Sequence, residues 1–344
     1  MGLTVGLMFN LGKYDPPEEG EPPDAYAELD SEQTVLAVAG ALAAAGYEVV
    51  LIEGNEEAYQ KLRTTRPDIV FNMCEGVHGA SRESHIPAML EMLGIPYTGS
   101  GILALALSLD KAAAKKMFLF HGVPTPAFRV LAPGDPVDWN GLRFPLFVKP
   151  AWEGSSKGIS PAAKVNTPGE LTERVLWVHD LYRQPALVEE FVDGREFTVG
   201  LVGNAEPVIF PIIEINYGPV PAEHGNVYSY QFKQEWDADQ FYLCPAPIDA
   251  ALEARLKRTA LDAFRALGCV DVGRVDIRLG ADGEPYVLEV NPLPGLVPGF
   301  SDLCRQADKA GWTYQDLING ILGAALERGA RLHKATRRFA HTAD

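Results

Sequence analysis

Cysteine is scarce in this chain. Cys74, Cys244, Cys269 and Cys304 are the only four in 344 residues, and no two form a CxxC pair. That excludes a disulfide framework and a thiolate zinc site, and reduced, packed thiols are expected. Long apolar runs are missing too. Nothing approaches the roughly 20 residues a membrane span needs, and the opening MGLTVGLMFN is too short and uncharged for a signal peptide. A soluble, cytoplasmic chain with no membrane partner is expected. Positive charge is in deficit, with 30 Lys plus Arg against 46 Asp plus Glu and a formal charge of −16, and there is no basic tail or run. The electrostatic footprint of a nucleic-acid binder is absent, so no such partner is expected. Any polyanionic ligand must be held by a few local cations. Neither GxxxxGK[ST] nor GxGxxG occurs, which removes the two common phosphate loops, and no fixed-period repeat suggests a solenoid.

What is present is a 47% apolar composition, enough to bury a real core, and a clear order of elements. Over the first hundred residues apolar strand runs (LTVGLMFN, YEVVLIEG, DIVFNM) alternate with helical patterns, the signature of βαβ units and a parallel sheet. Asp30 with Gln33 reads as the N-terminal cap of the first helix, and Gly46 as its left-handed C-terminal stop. The acidic, proline-rich segment KYDPPEEGEPPDAYAE lies beside the carboxyl end of the first strand, where open α/β sheets place ligands. Three units are expected, over residues 1–109, 110–192 and 193–344, the last including a long polar loop from about Asn216 to Gln240.

The stretch GRVDIRLGADGEPYVLEVNP is the most informative. Asp282-Gly283 is the dipeptide preferred in a two-residue type I′ hairpin turn, which fixes the register so that Asp276 faces Glu289 and Arg274 faces Asn291. Val275, Ile277, Leu279, Tyr286, Leu288 and Val290 then share the opposite, apolar face. Two carboxylates directly across a sheet repel each other unless a cation lies between them. The all-oxygen set favours a hard ion such as Mg²⁺. The competing reading is a solvated polar face whose acids are partly neutralised by Arg274 and Arg278. Upstream, FPLFVKP places Lys149 at the end of a buried strand, where it needs an anion partner. The glycines and serines of EGSSKG are then suited to closing over phosphate oxygens as a lid.

Taken together and in order, LGIPYTGSG, FVKPAWEGSSKGIS, ALVEEFVDGREFTVG and GRVDIRLGADGEPYVLEVNPLPG resemble the ATP-grasp ligases, specifically the D-alanine:D-alanine ligase family. The resemblance is strongest over residues 84–296. It implies an α/β ATP-grasp fold, with a Rossmann-like substrate domain at 1–109 and two α+β units, 110–192 and 193–344, clamping ATP. It implies that Lys111, Lys149, Ser156 and the loop residue Lys233 contact phosphates, that Glu189 and its VEEF neighbour Phe191 hold adenine, and that Glu196 holds the ribose. Asp276, Glu289 and Asn291 would bind two Mg²⁺ ions. Arg274 and the backbone N–H of Gly295 would stabilise an oxyanion, with Ser155, the first lid serine, also in the catalytic set.

The activity implied is ATP-dependent formation of a C–N bond between two amino acids through an acyl phosphate. D-alanyl-D-alanine is the default product, in peptidoglycan synthesis, and a homodimer is favoured. The alternatives are a different substrate pair, a small-molecule kinase and a non-catalytic ATP-binding module. Three departures bear on the substrate. The family's N-terminal Glu for the first ammonium is replaced by the acidic insertion and AELDSEQ, where Glu28, Asp30 or Glu32 stand in, although capping is favoured for Asp30. The tyrosine that usually follows the loop lysine is Gln234. After LPG, Phe300 lies near the expected serine. In FNMCEGVHGASRESH, Glu75, His78, Arg82 and Glu83 are candidates to read an ammonium or a carboxylate, against a plain polar loop.

Overall fold

The computed structural model of the chain describes residues 2–12, 17, 20–219, 227 and 241–340, the last ten as backbone only. The first elements are β1 (Thr4–Phe9), α1 (Glu32–Ala44), β2 (Glu48–Glu53), α2 (Ala58–Thr65), β3 (Ile69–Asn72), α3 (His85–Leu93), α4 (Ile102–Leu109) and α5 (Lys111–Phe120). Next come β4 (Phe128–Leu131), β5 (Leu146–Pro150), β6 (Lys164–Val165), α6 (Pro168–Tyr182) and β7 (Ala186–Glu190). The rest is β8 (Glu196–Val202), β9 (Val208–Ile209), β10 (Ile213–Ile215), β11 (Tyr242–Leu243), α7 (Ala250–Ala266), β12 (Val272–Leu279), β13 (Pro285–Asn291), α8 (Asp302–Lys309) and α9 (Tyr314–Ala340). Among the described residues three sheets result: parallel β2-β1-β3, antiparallel β4-β7-β5-β6, and antiparallel β11-β10-β8-β12-β13 with β9 on β8.

The parallel sheet is buried on both faces, as its uninterrupted apolar strands require. Val5, Leu7 and Phe9 pack with Val38 and Leu42 of α1 and Ile318 and Leu322 of α9, while Met8 packs the other way with Leu62 and Leu90. The other two sheets each turn one face to helices. In β5, Leu146 and Val148 join Val175 and Val178 of α6. In β12, Val275 and Ile277 join Leu256 and Phe264 of α7 and Phe118 of α5. Because side chains alternate along a strand, Phe147, Lys149, Arg274, Asp276 and Arg278 must project from the opposite faces, and these line one cleft between the two sheets.

Two local expectations need correction. The cap of α1 is Ser31, whose Oγ accepts from the Thr34 N–H at 3.1 Å, and not Asp30 one residue earlier; Gly46 does take the left-handed turn, at φ +91°. The β12–β13 hairpin does not turn on two residues. Gly280 N–H donates to Glu284 O at 2.8 Å, and Gly283 has φ +75°, so three residues form the loop, with glycine supplying the left-handed position. Near the turn, Leu279 therefore pairs with Pro285 and Ile277 with Val287; a bulge that leaves Leu288 extra then brings Asp276 opposite Glu289 and Arg274 opposite Asn291. Beyond the bulge the register is the expected one. Between it and the turn the faces are exchanged: Val287 enters the core, whereas Leu288 lines the cleft and Tyr286 donates its hydroxyl hydrogen to Asp282 at 2.8 Å.

All four cysteines are free, three of them buried. Among the described residues no helix is long and apolar enough to cross a membrane.

Candidate active site

The cleft brings together Lys149, Ser155, Ser156, Glu189, Phe191, Glu196, Arg274, Asp276 and Glu289, residues drawn from both antiparallel sheets and the loop between them. At its base Glu189 is clamped between two lysines, Lys149 at 2.7 Å and Lys115 at 2.6 Å, all three buried. The two lysines titrate apart. Burial and the neighbouring Lys149 charge bring Lys115 down to about 8 despite Glu189; at Lys149 burial is outweighed by Glu189 and Glu289, which hold its ammonium above the usual range. Burial would raise Glu189, but the two ammonium groups keep it ionised, below the usual carboxylate range. The expected anion partner of Lys149 is thus a protein carboxylate, and Glu189 grips lysines at the floor of the cleft.

Further along, Glu196 accepts from Arg278 Nε at 2.8 Å and from the Tyr217 hydroxyl at 2.6 Å. Phe147 and Phe191 stack with ring centroids 6.0 Å apart, and the Arg278 guanidinium lies 4.7 Å from the Phe191 centroid. With Ile159, Val192 and Leu288 beside them, these rings make a flat apolar slot ending at a fixed carboxylate. A planar base attached to a diol fits such a slot.

At the other end, Arg274 forks onto Asp276, with Nε to Oδ1 at 3.2 Å and Nη2 to Oδ2 at 3.0 Å, and its Nη1 is 3.6 Å from Asp302. Asp276 also accepts from Thr198 Oγ1 at 2.8 Å and Asn291 Nδ2 at 3.0 Å. Glu289 pairs with Lys111 at 3.1 Å; burial would raise its carboxyl, but Lys111 and Lys149 hold it down at about 2. Two facing carboxylates and an amide are an all-oxygen donor set for a hard divalent ion, once the Asn291 amide presents its oxygen. Arg274 and Lys111 supply the neutralising charge here, so the residues fit Mg²⁺. Of the two arginines that the solvated-face reading takes as neutralising these acids, Arg274 does pair with Asp276, whereas Arg278 is buried against Glu196.

The lid loop carries Ser155 and Ser156 at φ +49° and +62°, left-handed conformations that side chains disfavour and that surrounding contacts must impose. Those contacts come from the acidic N-terminal insertion. Glu28 accepts from the Gly154 N–H at 2.6 Å, and Asp24 accepts from the Gly158 N–H at 2.7 Å and the Tyr182 hydroxyl at 2.8 Å. Glu28 also pairs with Arg82 at 2.7 Å and Lys157 at 3.2 Å. Arg82 is held by Glu28, Glu153 and the Trp152 carbonyl and does not line the cleft, so the structure sets it behind the loop and not in the pocket where it was expected.

A second cavity meets the cleft at Arg274 and Ser155 and is lined by Glu28, Asp30, Glu75, Glu83, Asn291, Gly295 and Phe300. Phe300 is half exposed at its rim. Lys233 and Gln234 lie outside the described residues. Missed by sequence reasoning were Lys115, Lys157 and Glu153. Only Lys115 carried a signal: one helical turn after Lys111, it shares that residue's face of α5.

An α/β unit in front of two antiparallel sheets that close on a nucleotide-shaped cleft is the architecture of the ATP-grasp ligases. Comparison with known proteins narrows this. The family model for the D-ala D-ala ligase C-terminus matches residues 122–323. A D-alanine–D-alanine ligase of Syntrophotalea carbinolica is 36% identical over 299 residues, covering 87% of this chain and 92% of that protein. An uncharacterized protein of Sinorhizobium fredii is 38% identical over 332 residues, covering 94% of each. The crystal structure of D-alanine–D-alanine ligase from Bacillus anthracis complexed with ATP superposes with a TM-score of 0.72 at 25% identity, over 95% of this chain and 98% of that one. The chain belongs to the D-alanine–D-alanine ligase family.

Proposed function

We propose that the chain uses ATP to join the carboxylate of one amino acid to the amine of a second, through an acyl phosphate. The observation that carries this reading is the β12–β13 register, which sets Asp276 across from Glu289 and forks Arg274 onto Asp276 where the nucleotide cleft opens into the second cavity. In this reading the Phe147–Phe191 slot takes adenine, Glu196 the ribose, and Lys111, Lys149 and Ser156 the phosphates, and Lys233, outside the described residues, is assigned to the phosphates with them. Asp276, Glu289 and Asn291 would hold Mg²⁺, two ions, which neutralises charge on the transferring phosphoryl group.

A substrate carboxylate in the second cavity faces that group. Once it is phosphorylated, the amine attacks its carbonyl and phosphate leaves. Arg274 and the Gly295 N–H stand where the tetrahedral oxyanion forms, a role worth about 3 to 4 kcal/mol for one donor in other enzymes. Ser155 lines both cavities, and the lid pinned by Asp24 and Glu28 keeps water from the acyl phosphate. A homodimer belongs to the same reading; Leu103, Leu119 and Phe120 are exposed apolar side chains that such a contact would cover.

D-alanyl-D-alanine, the product implied by the relatives' name, is the default. A different pair is favoured by the carboxylates Asp30, Glu75 and Glu83 around the second cavity. The test is a phosphate-release screen of amino acids of both hands, alone and in pairs, with products weighed by mass spectrometry. ADP, free phosphate and an amide lighter than its parts by one water are expected. A stable phosphorylated amino acid would make the chain a kinase, and nucleotide binding without turnover a binding module.

A further inference from the structure

The charges around the second cavity do not balance. Among the described residues Arg274 is the cation that lines it, and it pairs with Asp276 at 3.0 Å and Asp302 at 3.6 Å; behind the wall Arg82 and Lys157 are taken up by Glu28 and Glu153, Arg82 at 2.7 and 3.2 Å and Lys157 with both. Asp30, Glu75 and Glu83 remain, and among the described residues none of the three has an ion-pair partner. Glu83 is only 7% exposed, yet among the described residues its Oε2 has no hydrogen-bond partner, and neither has Oδ2 of Asp30. An uncompensated carboxylate at the depth of Glu83 is costly unless a ligand completes it, and the partly buried Asp30 and Glu75 stand at the same cavity. Their titration agrees: burial first, then Glu28 and the other acids, raise Glu83 to about 8 and Glu75 well above its usual range, and burial raises Asp30 to about 7.

We infer that this cavity binds an amino acid whose side chain ends in a cation, such as an alkylammonium or guanidinium group. The inference rests on the ligase reading and names its substrate class. One α-ammonium asks for about one carboxylate, and this cavity offers three. A metal ion is the poorer occupant, because among the described residues no three acids, histidines or cysteines stand close enough to share one. The walls suit an alkyl stem: Met73, Val272, Leu293 and Leu296 line the recess between Asp30, Glu75 and Gly295. A methylene chain would lie along these side chains with its charged end among the carboxylates, leaving the reacting carboxylate near Arg274.

The test measures phosphate release by the full chain with ATP and Mg²⁺. Lysine and ornithine, each hand, are compared with their neutral counterparts norleucine and norvaline, and with alanine. The best cationic amino acid is expected to show a KM at least tenfold below that of its neutral counterpart. Asp30→Asn and Glu83→Gln, made separately so that one poorly folding variant does not decide the matter, are each expected to shrink that ratio tenfold or more. Alanine or norleucine outperforming lysine and ornithine in the unaltered protein, or a ratio unmoved by both substitutions, would overturn the inference while leaving the ligase reading intact. If no amino acid releases phosphate, the ligase reading fails. Calorimetric titration of lysine and norleucine into the protein loaded with a non-hydrolysable ATP analogue then decides: tenfold tighter lysine upholds the cation site, and equal or absent binding refutes it.

Discussion

Replacing Glu289 by glutamine removes one charge and changes almost nothing in shape, so its effect can be worked from the geometry. Glu289 faces Asp276 across the hairpin and pairs with Lys111 at 3.1 Å. Burial alone would push its carboxyl up, but Lys111, Lys149 and Arg274 hold it at about 2, against an ordinary value of 4.5. That difference corresponds to about 3 kcal/mol of preference for the charged form. If a cation bound between the acids draws on the same charge, the neutral amide forfeits an interaction of that order, or about 100-fold in rate. The expected result for Glu289→Gln is a kcat at least about 100-fold lower and a higher Mg²⁺ concentration for half-maximal ADP formation, with the fold intact and the thermal unfolding midpoint lowered by a few degrees because Lys111 loses its partner. The assay is coupled ADP formation titrated with Mg²⁺. A variant with near wild-type kcat and an unshifted Mg²⁺ requirement would refute the metal assignment. Because the folded carboxyl titrates lower than the unfolded one, its contribution to stability is complete above about 4.5 and fades only as pH falls toward 2, so neutral pH is safe for the comparison.

Arg274→Ala is expected to slow amide formation by about 100-fold while ATP binding is largely kept; isothermal titration with an ATP analogue checks this, and loss of nucleotide binding would count against an oxyanion role. Lys115→Met leaves Glu189 with one lysine instead of two and is expected to cost about 3 kcal/mol in urea unfolding, since it breaks a fully buried pair; a cost below about 1 kcal/mol would show that Lys149 alone suffices. Asp30 and Glu83, raised to about 7 and about 8 from ordinary values of 3.8 and 4.5, bind protons more tightly folded than unfolded. The substrate-free protein should therefore lose stability as pH rises from about 4.5 to about 8, and Asp30→Asn with Glu83→Gln should flatten that slope in thermal unfolding; an identical slope in the double variant would contradict the assignment.

The cleft was legible because its residues obey short-range rules. Alternation turns Lys149 away from the core-facing side of β5, and Arg274 and Asp276 away from that of β12, whatever surrounds them. The hairpin register came out right at Asp276 and Glu289 through two offsetting departures: a three-residue loop where two were expected, and a bulge at Leu288. Neither departure has a sequence signature strong enough to separate them, so the face of Tyr286 and Leu288 was misread. Contacts between distant segments were out of reach. Glu28, Arg82, Glu153 and Lys157 meet across 54 to 129 residues of chain, and nothing local in AELDSEQ or SRESH announces that the insertion holds the lid. The cap of α1 was displaced by one residue because Asp30 and Ser31 are both good caps; with Ser31 in that role, the Asp30 carboxylate is left at the cavity.

The most direct test of the central claim, that a carboxylate is activated by phosphoryl transfer, follows the oxygen. An amino acid substrate found in the phosphate-release screen is labelled with ¹⁸O in its carboxylate and turned over with ATP, Mg²⁺ and the second amine, and the released phosphate is analysed by mass spectrometry. One labelled oxygen in each phosphate is the expected result, because the carboxylate oxygen that attacks the γ-phosphorus leaves with it. Unlabelled phosphate alongside continuing amide formation would contradict the acyl-phosphate account.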